Sequence, residues 1–292
     1  MRVSLNRLTV PSAIMVALAM LGWAQGAGAA LPPPAQSFAP FEQWKAAVVA
    51  GNVATVKQLY STSPPAQISA ANSSSNSNAE GDFWVSFKAH KINFEIVQNV
   101  SSNPDAQVVI FQAEVSPVAQ AEHTVYILEA QAWQHQSDQW RIVSVKRAPV
   151  AYLKQPLNKD RDLYPAGADA RVEIKQAEEK AAKENKRVLL VFGANWCYDC
   201  HVLDLAFERP DFAPVVARYE VVNVDIGADG KKNKDVANQY QVPLARGIPA
   251  LAVLDGQGNL LVSQKNGEFE KARSMTPEAM LEFLNKWKTE AR

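Results

Sequence analysis

The spacing of apolar residues changes several times along this chain, and each change marks a different kind of element. Ser12 to Trp23 is an unbroken apolar stretch, shorter than the ~20 residues a spanning helix needs. After a proline-rich spacer from Leu31 to Pro40, Phe41, Trp44, Ala47 and Val48 recur at helical spacing. Val53, Val56 and Leu59-Tyr60 continue that spacing after Gly51-Asn52, so two helices are expected, the second stopped by Pro64-Pro65. Ala70 to Gly81 contains the string SSSNSN, a polar composition expected to form an unordered loop. Asp82 to His90 is expected as a third short helix with Phe83, Trp84 and Phe87 inward.

From Ile92 the period becomes two: Ile92-Asn93-Phe94-Glu95-Ile96 alternates, and Asn103-Pro104 marks a turn. Gln107 to Val115, His123 to Trp133 and Trp140 to Val145 complete four expected strands. Helices followed by an antiparallel meander indicate an α+β domain. The pattern over residues 38–150 resembles the NTF2-like fold with its curved antiparallel sheet, including a closing strand at Trp140-Arg141-Ile142-Val143-Ser144-Val145. His90, His123 and His135 are dispersed and have no carboxylate at a telling spacing, so no chemistry is assigned to this domain. Ala151 to Gly167, with Pro156 and Pro165, is expected as a linker (151–167), and a second domain should span 168–292.

That second domain opens on a helical segment, Ala168 to Lys186, with Val172, Ile174 and Ala177 expected to face the core. Arg187 to Phe207 follows as RVLLVFGANWCYDCHVLDLAF. Val188 to Phe192 has the β-branched, apolar character of a buried strand, Gly193-Ala194-Asn195 breaks it, and Val202, Leu203, Ala206 and Phe207 resume helical spacing. Cys197 and Cys200, the only 2 cysteines among 292 residues, therefore fall where the strand hands over to a helix. A helix N-terminus presents unpaired N–H groups and about half a positive charge. Cys197 at that end should have its pKa lowered from ~8.5 toward the ~3.5–7.5 range of such cysteines. Cys200 lies one turn deeper on the same side, placed to attack a mixed disulfide on Cys197. Cys197 is thus read as the nucleophile and Cys200 as the resolving thiol.

The stretch resembles the thioredoxin superfamily on several counts: the strand, Trp196 before the first cysteine, Val221-Val222-Asn223-Val224-Asp225 as a next parallel strand, and Gly247-Ile248-Pro249-Ala250-Leu251. The resemblance covers roughly residues 166–292. It implies an α/β thioredoxin fold, a redox disulfide between Cys197 and Cys200, a cis bond before Pro249, and a substrate-binding edge formed by Trp196, Ile248 and Pro249. Many thioredoxins carry a buried aspartate six residues before the first cysteine and a lysine facing it. Here those positions read Val191 and Val221, and the dipeptide between the cysteines is Tyr198-Asp199. Asp199, an acid beside the thiolate, should partly counter the helix dipole.

Three other readings compete for the same motif, and a fourth comes from outside catalysis. Cys197-Tyr198-Asp199-Cys200-His201 matches the C-x-x-C-H attachment signature of c-type haem, with His201 as axial ligand. A structural zinc centre takes about four protein ligands, which two cysteines and one histidine do not supply. A merely structural disulfide would close a very short loop and constrain little. A binding or redox-sensing protein that uses the N-terminal domain is the alternative from outside catalysis.

Composition narrows the partners. Lys plus Arg equals Asp plus Glu at 30 each, so no global field recruits nucleic acid. Arg2, Arg7, the apolar stretch and Ala27-Gly28-Ala29 read as a signal peptide over residues 1–30, with Ala30 or Leu31 as the new N-terminus. An uncleaved membrane anchor is the alternative. Cleavage would leave no membrane anchor and would place the chain outside the cytoplasm, in the periplasm, where disulfides persist. The expectation is an exported thiol–disulfide oxidoreductase needing no cofactor or metal. Its partners would be proteins bearing thiols or disulfides, or small thiols, and a redox partner protein.

Overall fold

The computed structural model describes residues 37–117 and 123–290; the expected signal peptide, residues 1–30, lies outside the described residues. The chain divides into two compact units, Met1–Val150 and Ala151–Arg292. Among the described residues no helix is long and apolar enough to cross a membrane.

In the first unit, three helices, α1 (Ala39–Val49), α2 (Val53–Gln58) and α3 (Ser77–Val85), pack against a six-stranded sheet. Its strands are β1 (Gln67–Ala70), β2 (Ser73–Ser75), β3 (His90–Asn103), β4 (Ala106–Pro117), β5 (Val125–Gln136) and β6 (Gln139–Arg147), in the order β2-β1-β6-β5-β4-β3. β3 to β6 form the antiparallel meander expected from the period-two pattern. Register shifts at Ile96/Gln98, Ser101/Asn103 and Ala132/Trp133 are of the kind that bend strands. Trp44, Trp84 and Trp133 are fully buried between helices and sheet with Phe41, Phe111 and Ile127.

The serine-rich stretch differs from the expected loop. Ile68 to Ala70 pairs in parallel with β6, Ser73 to Ser75 pairs back onto β1, and the Asn76 side chain accepts from the amides of Asn78 and Ala79 to start α3. These residues need not bury side chains to be ordered, because β6 supplies their ladder and Asn76 supplies the cap. The third helix consequently starts at Ser77, five residues earlier than its apolar residues suggest.

An ionic cluster lies inside this unit. Glu80 and Glu129 are both fully buried. Arg147 bonds Glu80 from Nε (3.1 Å) and Nη2 (3.2 Å), and its Nε lies 3.7 Å from Glu129. Trp84 Nε1 and Gln131 Nε2 donate to Glu129 at 3.0 and 2.7 Å. Burial, then the neighbouring Glu80, push the Glu129 carboxyl well above its ordinary range.

The second unit is α/β. Helix α4 (Ala170–Glu184) precedes β7 (Arg187–Gly193), followed by α5 (Tyr198–Phe207), α6 (Ala213–Val216), β8 (Tyr219–Asp225), α7 (Lys234–Gln239), β9 (Ala250–Leu254), β10 (Leu260–Ser263) and α8 (Pro277–Trp287). The sheet order is β10-β9-β7-β8, with β7 and β8 parallel and the other pairs antiparallel. The central strands are buried on both faces. Val188, Leu190 and Phe192 face one core with α4, while Leu189 and Val191 face another with α5 and α8. On α4 the buried residues are Ala170, Ile174, Ala177 and Ala181, whereas Val172, expected inward, is half-exposed. At 3.6 residues per turn Val172 projects from the opposite side to Ala170 and Ile174.

Residues 151–167, read from the sequence as a linker, contribute to this unit's core. Leu153 is buried beneath α5 and α8, and Tyr164 is buried against the two cysteines.

Candidate active site

Strand β7 ends at Gly193, and four residues later the chain turns into α5. Cys197 is extended (φ −78°, ψ 109°) and serves as the N-cap, its Sγ accepting from the amide of Cys200 at 3.1 Å. A sulfur thus does what a serine or aspartate oxygen does at most helix starts. Cys197 and Cys200 are joined in a disulfide. Both are buried, Cys197 at 5% exposure and Cys200 at 2%. The Ile248 carbonyl oxygen lies 3.7 Å from Cys197 Sγ, and the Ile248–Pro249 peptide bond is cis. Gly247, just before it, has φ +130°, a conformation side chains rarely adopt. Trp196 is half-exposed beside the disulfide, its Nε1 donating to the carbonyl of Gly227 at 3.2 Å. The structure therefore brings Trp196, Cys197, Cys200, Ile248 and Pro249 to one place.

His201 is buried, and its ring nitrogen is 2.9 Å from the Asn195 carbonyl oxygen. The imidazole is thus tied to the backbone at the helix start. Among the described residues no group of three or more His, Cys, Asp or Glu side chains is placed to hold a metal.

Several residues at the site escape a sequence reading. Asn195 accepts from the Tyr164 amide (2.9 Å) and donates to the Tyr164 carbonyl (3.1 Å) and to Asp162 (2.7 Å). Lys159 Nζ donates to the Trp196 carbonyl at 3.3 Å, and the Tyr198 hydroxyl to Gln155 at 3.1 Å. The segment before α4 is therefore fastened to the dithiol loop at three successive points. Tyr164 fits because residue 193 is glycine: a Cβ there would clash with its Oη and sit 2.7 Å from Cys200 Sγ. Burial holds the Tyr164 phenol well above its usual pKa. The available signal was the number of large apolar residues (Tyr152, Leu153, Leu163, Tyr164) in a stretch too short and proline-rich to form an element.

Behind Cys200 a cavity of about 40 Å³ is lined by Tyr164, Val191, Asp204 and Asn223 among others. The register sets Val191 beside Asn223, and Val221 beside Leu189, so the residue facing Val191 is a neutral amide. Asp204 is one turn beyond Cys200. Burial raises its carboxyl above the ordinary value, against the opposing pull of Arg161, whose Nη1 is 2.8 Å away.

Asp199 does not stand as a bare acid. It is buried, and Arg273 meets it from the short helical turn Ala272–Ser274 after β10. The Arg273 amide donates to Oδ1 at 2.8 Å, Nε reaches both oxygens at 3.0 and 3.1 Å, and Nη2 also donates. The guanidinium sits 4.6 Å from the ring centre of Tyr198.

A thioredoxin-like family model matches residues 169–256. Thiol:disulfide interchange protein DsbD 2 of Pseudomonas aeruginosa is 25% identical over 142 residues, 48% of this chain and 22% of that protein. The chain thus spans about a fifth of that relative's length, 22%. A disulphide isomerase structure from Xylella fastidiosa Temecula1 is 35% identical, with a TM-score of 0.40, covering 42% of this chain and 94% of that one. An NTF2-like protein from Rhodospirillum rubrum is 13% identical, with a TM-score of 0.30, covering 37% of this chain and 93% of that one. Residues 169–256, which contain Cys197 and Cys200, are a thioredoxin-like domain.

Proposed function

We propose that this chain is an extracytoplasmic thiol–disulfide oxidoreductase whose exchange runs through Cys197 and Cys200. The observation that carries the reading is the pair closed across the first turn of α5, with Cys197 as its cap and the Ile248 carbonyl alongside. Once the pair is reduced, the thiolate of Cys197 attacks one sulfur of a partner disulfide. A Cys197–partner disulfide forms and the partner's other sulfur leaves as a thiolate. Cys200, as thiolate, then attacks Cys197 Sγ, re-forming the internal disulfide and releasing the partner's second thiolate. Two electrons pass from the protein to the partner, which takes up two protons from solvent. The same steps reversed oxidise a partner dithiol.

Nucleophile and resolving roles follow from position. Cys197 caps the helix and is the less buried of the two, while Cys200 lies a turn inside. Trp196, Ile248 and Pro249 form the edge on which an extended partner segment would lie. The partners are proteins bearing thiols or disulfides and a second redox protein that resets the dithiol. Export to the periplasm rests on the signal-like residues 1–30.

The test is covalent trapping. Cys200→Ala leaves attack intact and removes release, so mixed disulfides should accumulate on non-reducing gels of extracytoplasmic extract. Cys197→Ala should trap few. Equal trapping by both variants reverses the role assignment, and trapping by neither removes the activity.

A further inference from the structure

We propose that Arg273 is a positioning residue for the dithiol: closed onto Asp199, it keeps that acid from opposing a thiolate at Cys197. The inference rests on the exchange activity proposed above.

An acid in the first turn of a helix is favourable for the helix, because it meets the positive end of the dipole. At this helix start the same positive end is needed by Cys197 once the disulfide is reduced. Asp199 is two residues from Cys197 and nearly shut off from water, so its field is poorly screened. Left alone, it would raise the energy of a thiolate at the same helix start. Arg273 meets it with a guanidinium fork and a backbone amide, leaving neither carboxylate oxygen without a donor. A bidentate guanidinium is the strongest neutralising partner a side chain offers.

Of the other ionisable groups close to the cysteines, Lys159 is engaged by the Trp196 carbonyl at 3.3 Å. Burial keeps Tyr164 protonated and pushes Tyr198 up to about 12. The His201 ring is held by the Asn195 carbonyl, and Asp204 lies on the Cys200 side, paired with Arg161.

If the pair merely fastened the Ala272–Ser274 turn to α5, its loss would change stability and leave thiol reactivity alone. The experiment separates these by measuring iodoacetamide alkylation of Cys197 against pH in the reduced full-length protein, with Cys200→Ala as background. Arg273→Met should move the midpoint upward and slow alkylation at pH 7 roughly three- to tenfold. Asp199→Asn should move it downward, and Arg273→Lys should lie between Arg273→Met and the unmodified residue. With Asp199→Asn already present, Arg273→Met should have little further effect. With both cysteines present, Arg273→Met should also increase the oxidised fraction at a fixed glutathione ratio.

An unchanged profile in Arg273→Met overturns the proposal. So does an equal effect of Arg273→Met with and without Asp199, which would mean that its charge acts directly. If Arg273→Met does not fold, Asp199→Asn decides, since it keeps the Oδ1 acceptor for the Arg273 amide; unchanged alkylation there overturns the proposal too. Alkylation needs no partner disulfide, so its outcome is separate from the trapping result that tests the activity.

Discussion

Gly193 is the tightest point of the site. No backbone strain requires it; what excludes a side chain is the Tyr164 hydroxyl and Cys200 sulfur already crowding that position. Gly193→Ala should cost about 1–3 kcal/mol, the usual price of overpacking, read from the urea midpoint of the oxidised protein. Adding Tyr164→Phe should recover part of that loss, because the phenolic oxygen is the nearest obstacle. At this scale the cysteines were legible because the capping Cys197 and its partner Cys200 are three residues apart, where the strand hands over to the helix. Tyr164 and Arg273 were not, since they meet the dithiol loop from 31 and 74 residues away. Asp199 illustrates the consequence: its charge was readable, but the partner that cancels it was not.

Helix α4 shows what periodicity can and cannot assign. Ala170, Ile174, Ala177 and Ala181 form the buried stripe, and Val172 lies off it although it is as apolar as its neighbours. Ile174→Ala should therefore cost about 2–4 kcal/mol, while Val172→Ala should stay within about 0.5 kcal/mol, both measured by chemical denaturation. The meander of the first unit and the strand–helix junction of the second were legible because each has a strong apolar period. The Ser73–Ser75 strand was not, because its order comes from pairing with β1, which itself pairs with β6. Asn76→Ala should weaken the start of α3 by about 0.5–2 kcal/mol, visible as faster amide exchange at Asn78 and Ala79.

Over the whole molecule the charges balance at 30 against 30, yet the first unit encloses two carboxylates and one guanidinium. Burial, then Glu80, raise the Glu129 carboxyl, so its folded pKa lies above the unfolded value of ~4.3. Its contribution is then fully present below that value and lost as pH rises through the folded pKa. The thermal stability of the first unit should fall over that rise, and Glu129→Gln should flatten the dependence. Arg147→Met, which leaves Glu80 buried without its cation, should cost about 3–5 kcal/mol. The buried segment before α4 bears on how this protein can be cut and recombined. The recognisable domain begins at residue 169, but Leu153 and Tyr164 precede it and fill its interior. A fragment starting at 169 would open a channel of solvent to the back of Cys200, whereas one starting at 151 would keep it sealed. The portable redox module is therefore longer than its family signature, and grafting it onto another protein should succeed only when that seal travels with it.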